Sequence, residues 1–159
     1  VEPTAESIRG DRPAVLEALR AAGWAEGREY DISGWMEELG GAGFEPGPLA
    51  RRVWSEFGGL TIRSSTQRVP PSSLRIDPVD ACIDALDESR VLSRRFGENC
   101  SPLGMWAVQF RSYIAESGLV VAIGLRDMWV LGPTFAEALA HVVVGGGDES
   151  RRQQADWLR

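Results

Sequence analysis

The stretch SEFGGLTI, Ser55 to Ile62, sets two glycines between a helical pattern and a strand pattern. Its polarity decides how the N-terminal half folds and what can bind there. Upstream, Leu49, Val53, Trp54 and Phe57 recur at helical spacing after Pro48, whose missing N–H costs nothing in a first turn. Downstream, Leu60, Thr61 and Ile62 alternate as a strand does. A phosphate cradle needs the opposite order, glycines that leave a strand and open a helix, so that amide N–H groups and the positive end of the dipole meet the anion. Here the glycines receive the carbonyl end of a helix, which repels phosphate. The pair is read as a helix stop, with Gly58 in the left-handed C′ position, where the chain passes from a helical layer into a sheet.

Two helices precede that junction. Asp11 is placed to cap one that carries Val15, Leu16 and Leu19, with Pro13 in its first turn and Gly23 at its end. The second shows Ile32, Trp35, Met36 and Leu39 as one apolar stripe, capped by Asp31 and dissolved by the glycines at 40, 41 and 43. Trp24 and Tyr30 are expected to pin the loop between them.

Beyond the junction, SLRID at 73–77 follows the polar, proline-bearing linker SSTQRVPPS and forms a second strand with 60–62. Pro78 is expected to start a fourth helix with Asp77 near its N-cap, breaking around Ser89 and restarting toward Phe96 before Gly97. The last third reads as sheet: SPLGMWAVQF, SYIAESGLVVAIGL and MWVLG are β-branched and aromatic, with Glu116-Ser117-Gly118 as a tight hairpin. Thr134 and Glu137 form a capping box for a final helix, closed by the glycines at 145–147. The expected architecture is α+β, with helices packed on one face of a largely antiparallel sheet. One domain is expected over 1–147, with a polar tail over 148–159.

The 159 residues, 43% hydrophobic and 25% charged, suffice for one real core. A net charge of −6 without any basic run disfavours nucleic acid as a direct partner and attracts basic proteins instead. Cys82 and Cys100 are too few and too ill-spaced for a disulfide framework or zinc site, so a reducing cytoplasm is the expected compartment. No membrane span or secretory leader is expected. The single histidine, His141, reads as a boundary residue complementing the end of the last helix, and no nucleophile or metal set accompanies it. No catalytic residue, metal or cofactor is expected. Asp80, Asp84 and Asp87, with Glu88 beside them, share a helix and form either a solvated face or a protein-binding patch. Trp106 and Trp129 read as sheet packing or, if exposed, as hot spots for a partner.

In order along the chain, AAGWAEGREYDISGWMEELGGAGFEPGPLARRVWSEFGGL, LRIDP, CSPLGMW, YIAESGLVVAIG and LGPTFAEALAHVVVGG resemble the segments of the SUKH superfamily of bacterial immunity proteins, most closely its third subgroup. The match spans about Gly23 to Gly147. The resemblance implies a twisted sheet of about six strands, no catalytic residues, and neutralisation of a cognate toxin, commonly a nuclease or nucleic-acid deaminase. The position after Gly104 is commonly acidic in the subgroup, whereas here Met105 and Trp106 follow, and Glu116-Ser117 stands where two acids are frequent. The alternative is a non-catalytic scaffold or regulatory module of the same fold.

Overall fold

The structure, a computed structural model, describes residues 8–80 and 85–158. Three helices come first: α1 (Pro13–Ala22), α2 (Ser33–Gly41) and α3 (Pro48–Phe57). Proline opens α1 and α3 as the sequence predicts. Asp11 does not cap α1, because Arg12 occupies the N-cap with extended backbone, and no side chain caps the helix there. The Asp31 carboxylate does accept the Ser33 N–H at the start of α2, 3.0 Å away.

Then follow β1 (Thr61–Arg63), β2 (Ser73–Ile76), α4 (Leu86–Phe96), β3 (Cys100–Trp106), β4 (Phe110–Ala115), β5 (Val120–Ile123), β6 (Asp127–Gly132), α5 (Phe135–Val144) and β7 (Arg152–Gln154). The strands form one open, seven-stranded antiparallel sheet whose order in space is their order in the chain. The seventh strand arises from the segment read as a polar tail: Arg152, Gln153 and Gln154 pair with Trp129, Met128 and Asp127. All three β7 side chains are exposed, so no hydrophobic alternation marks the strand; the free edge of β6 supplies its partners.

Register fixes which residues share a face. Trp106 opposes Phe110, Ser112 opposes Ala122, and Ala122 opposes Trp129. His141 of α5 lies beside Trp106, ring centroids 6.5 Å apart, so α5 covers this face, with α1 packed on α5 and β1. Arg111 and Tyr113 alternate to the other face and meet Glu88 of α4. The core between the layers includes Trp54, Phe57, Leu103, Phe135 and Leu139, each no more than 2% exposed. Burying such a side chain contributes roughly 1.5–3 kcal/mol.

α4 differs from expectation. Residues 78–80 form a turn in which the Asp77 carboxylate accepts the Asp80 N–H at 3.0 Å, and the helix runs unbroken from Leu86. Ser89, read as a break, instead fastens the helix to the sheet together with Ser93: Ser89 Oγ donates to the Cys100 carbonyl, and the Cys100 N–H donates to Ser93 Oγ at 3.0 Å. Serine inside a helix weakens it locally but can bond a neighbouring strand.

Candidate functional site

The Ser55–Ile62 junction has the predicted polarity. Its N–H groups are consumed internally: Gly58 donates to Trp54 O, Gly59 to Ile76 O and Leu60 to Phe57 O. The carbonyls converge outward, and Arg28 takes two of them, Nη1 donating to Glu56 O at 2.7 Å and Nη2 to Gly58 O at 2.8 Å. A cation thus occupies the negative end of the helix. The left-handed residue is Gly59, with φ +78°, rather than Gly58, whose φ is −55°. Gly58 is required for another reason: a Cβ there would lie 2.4 Å from Trp54 O and 2.8 Å from the Trp35 and Tyr30 rings.

The acidic residues at 80–88 do not form one helical face. Asp80 sits in the turn before α4, Asp84 falls outside the described residues, and Asp87 is exposed in the first turn of α4. Glu88 is only 5% exposed. Its Oε1 accepts from Arg111 Nε at 3.0 Å and from the Tyr113 hydroxyl at 2.7 Å, while Oε2 accepts from Arg111 Nη2 at 2.9 Å. Burial and the neighbouring carboxylate push the Tyr113 phenol well above its ordinary range. Glu88 is therefore a structural anchor between α4 and β4 rather than part of a surface patch. α4 also carries exposed Arg90, Arg94 and Arg95, so its exterior is not an acidic surface.

Trp106 is 3% exposed, and its indole N–H donates to Ser72 Oγ at 2.9 Å, which places it in the core and out of reach of a partner. Trp129 is half-buried, stacked near Phe110 with centroids 4.7 Å apart and with the Arg152 guanidinium 6.0 Å from its ring. The two tryptophans touch each other but do not form a shared exposed face.

His141 is buried, not a boundary residue. Its Nε2 lies 2.8 Å from Asp148 Oδ1, and Arg68, whose side chain is fully buried, donates from Nη2 to the same oxygen at 2.7 Å and from Nε to the His141 carbonyl at 2.9 Å. Nδ1 is buried without a hydrogen-bond partner, which assigns the proton to Nε2. Burial, reinforced by Arg151, holds the imidazole below its ordinary value of 6.5, although Asp148 opposes the shift. Among the described residues no thiol pairs with it, and Cys82 lies outside them. Cys100 is buried on β3, its pKa pushed up to about 11 by burial and by Glu98, which is the reverse of an activated nucleophile.

Among the described residues no group of three or more His, Cys, Asp or Glu could hold a metal. A cleft of about 540 Å³ lies between α1 and β1, lined by Ala14, Glu17, Ala18, Arg63, Ser64 and Val144. It contains no histidine or cysteine and no acid–base pair, so it offers shape without chemistry. No described helix is long and apolar enough to cross a membrane.

One surface escaped the sequence reading. Over residues 24–45 six carboxylates, Glu26, Glu29, Asp31, Glu37, Glu38 and Glu45, face one arginine, Arg28, leaving −5 where the whole chain carries −6. All six acids are exposed. A running charge count along the chain finds this segment; attention to helical spacing at 80–88 passes over it.

A model of a protein family described as SUKH-3 immunity protein matches residues 12–145 of the chain. No curated protein and no solved structure matches it.

Proposed function

Because the chain belongs to the SUKH-3 immunity protein family, a non-catalytic family that implies neutralisation of a cognate toxin, we propose that it works by stoichiometric protein–protein blockade, and that its toxin is a nuclease or nucleic-acid deaminase. The observation that carries this reading is the family match over residues 12–145, which spans α1 to α5 and β1 to β6. The charge supports the finer part. A toxin that acts on nucleic acid presents a basic face to a polyanion, and an inhibitor with a net charge of −6 competes for that face and is drawn to it over long range. The two side chains best suited to acid–base work have structural partners instead: Glu88 is held by Arg111 and Tyr113, and His141 by Asp148 and Arg68. Action in the reducing cytoplasm suits the free, buried Cys100.

The test is co-expression of this chain with a toxin domain found encoded by a neighbouring gene. The expected result is restored growth, co-elution at a one-to-one ratio, and loss of nucleic-acid damage in proportion to the immunity protein added. Protection at strongly substoichiometric amounts would mean turnover and would remove the blockade mechanism. A toxin without activity on nucleic acid would remove the target class while leaving the family role intact.

A further inference from the structure

We infer that the exposed side of α2, with the loop that leads into it, is the surface that engages the toxin, and that its occupant is a basic face of that partner. This rests on the immunity reading and gives it an address. Three observations converge on the same segment.

The first is packing. In α2 only Leu39 is buried, while Trp35 and Met36, which share its apolar stripe, are half-buried, as is Ile32 just before it. α1 and α3, by contrast, bury two and four residues each. A stripe of four apolar residues with one sealed in the core leaves a helix whose hydrophobic face is incompletely used. Tyr30, 38% exposed, extends this surface, its ring 4.9 Å from that of Trp35. Half-exposed tyrosine, tryptophan and methionine are the side chains that anchor protein interfaces.

The second is charge. Arg28 is turned inward onto the carbonyls of Glu56 and Gly58, and Arg9 lies 3.6 Å from Glu26, leaving the exposed Glu29, Asp31, Glu37, Glu38 and Glu45 of the same segment without a basic ion-pair partner among the described residues. A half-buried apolar patch in a segment so rich in exposed carboxylates fits a basic partner and rejects an acidic one.

The third is rigidity. Tyr30 N–H donates to Ser55 O at 2.6 Å, the Tyr30 and Trp35 rings sit over the bare Cα of Gly58, and Arg28 bonds the end of α3. The loop is thus fixed to the helix behind it. A surface held in place before contact loses little entropy on binding.

The experiment measures association and dissociation rates between the purified full chain and such a toxin domain, at about 0.05 and 0.2 M salt. Glu37→Arg with Glu38→Arg is the test variant; neither side chain holds any other part of the fold, and circular dichroism verifies that the variant is folded. It should associate at least about tenfold more slowly at the lower salt, with the salt dependence flattened and growth protection weakened. Met36→Ser should speed dissociation severalfold while leaving association nearly unchanged. The matching reversal, Asp80→Arg with Asp87→Arg, should change association less than twofold. If wild-type chain binds and the α2 charge variant binds at the same rate, or if the reversal at 80 and 87 has the larger effect, the surface assignment is overturned while the immunity reading stands. If the wild-type chain itself fails to bind or protect, the immunity reading fails and the assignment goes with it.

Discussion

Replacing Glu88 or Arg111 separates a structural role from a binding role and carries a magnitude that the geometry sets. In Glu88→Ala the Tyr113 hydroxyl, on a residue with no exposure, loses its acceptor, which costs about 1–3 kcal/mol. The Arg111 side chain is 34% exposed, so it regains water in part, and the lost ion pair must be discounted to about 1 kcal/mol. The vacated space adds roughly another 1 kcal/mol. The expected loss is about 4 kcal/mol, a large fraction of the stability of a domain this size. Glu88→Gln keeps the volume and an acceptor for Tyr113, and should lose about half as much. Arg111→Met removes the guanidinium from a carboxylate whose side chain is 3% exposed, at a cost of about 3 kcal/mol near neutral pH. Urea unfolding near neutral pH, with slopes compared to exclude altered compactness, measures all of this. An Arg111→Met loss under about 1 kcal/mol would refute the reasoning, since the pair would then be solvated. Toxin affinity, corrected for the folded fraction, should be unchanged in Glu88→Gln.

Arg68→Met removes a fully buried cation that bonds the His141 and Pro70 carbonyls and Asp148, so stability should fall by about 3–5 kcal/mol and the 64–72 loop should become the first site of limited proteolysis; resistance there would show the loop is held otherwise. Burial lowers the His141 pKa, so the unfolded chain binds its proton first as pH falls below 6.5; stability contributed by the neutral imidazole is full above that pH and declines toward the lower folded value. The raised carboxyls of Glu56 and Glu116 slope the other way, so the readout is the difference between wild type and His141→Gln from about pH 7 to pH 5, and parallel curves would contradict the assignment. Val108, 81% exposed at the tip between β3 and β4, has φ +70°, unfavourable for a β-branched residue; Val108→Asn should gain about 1 kcal/mol in urea unfolding, and a loss would mean that the valine makes a contact worth more than the strain.

How much of this was legible in the chain depends on where the information resides. The α3 stripe of Leu49, Val53, Trp54 and Phe57 and the Gly118 hairpin are local patterns that form where the sequence places them, and half of the Thr134–Glu137 box forms: the Thr134 hydroxyl accepts the Glu137 N–H at 3.1 Å, while the Glu137 carboxylate pairs with Arg12 at 3.5 Å. The failures involve partners distant in sequence. Glu88 looks like one more surface acid until Arg111 and Tyr113 are brought to it by strand β4. His141 looks like a helix end until Asp148 folds back 7 residues later and Arg68 arrives from a loop 73 positions earlier. Asp80 was joined to a helix because Pro78 is a common helix opener, whereas the Asp77 side chain uses that proline to make a turn. The α2 surface was readable as a charge count but not as a partly unpacked helix, because its stripe satisfies the same periodicity whether or not the core has room for it.

Because the strands lie side by side in the order in which they are made, every ladder except the last can be completed by residues just synthesised. A nascent chain leaving the ribosome at roughly 5–20 residues per second gives each hairpin, which closes in about 1–10 μs, ample time to form before the next strand appears. Other contacts must wait, among them α5 returning to α1 and β1, and the short closing strand against β6. Shortening the C-terminus therefore strikes the final steps of assembly, removing at once the edge cover of β6 and the carboxylate at 148 that neutralises the buried arginine.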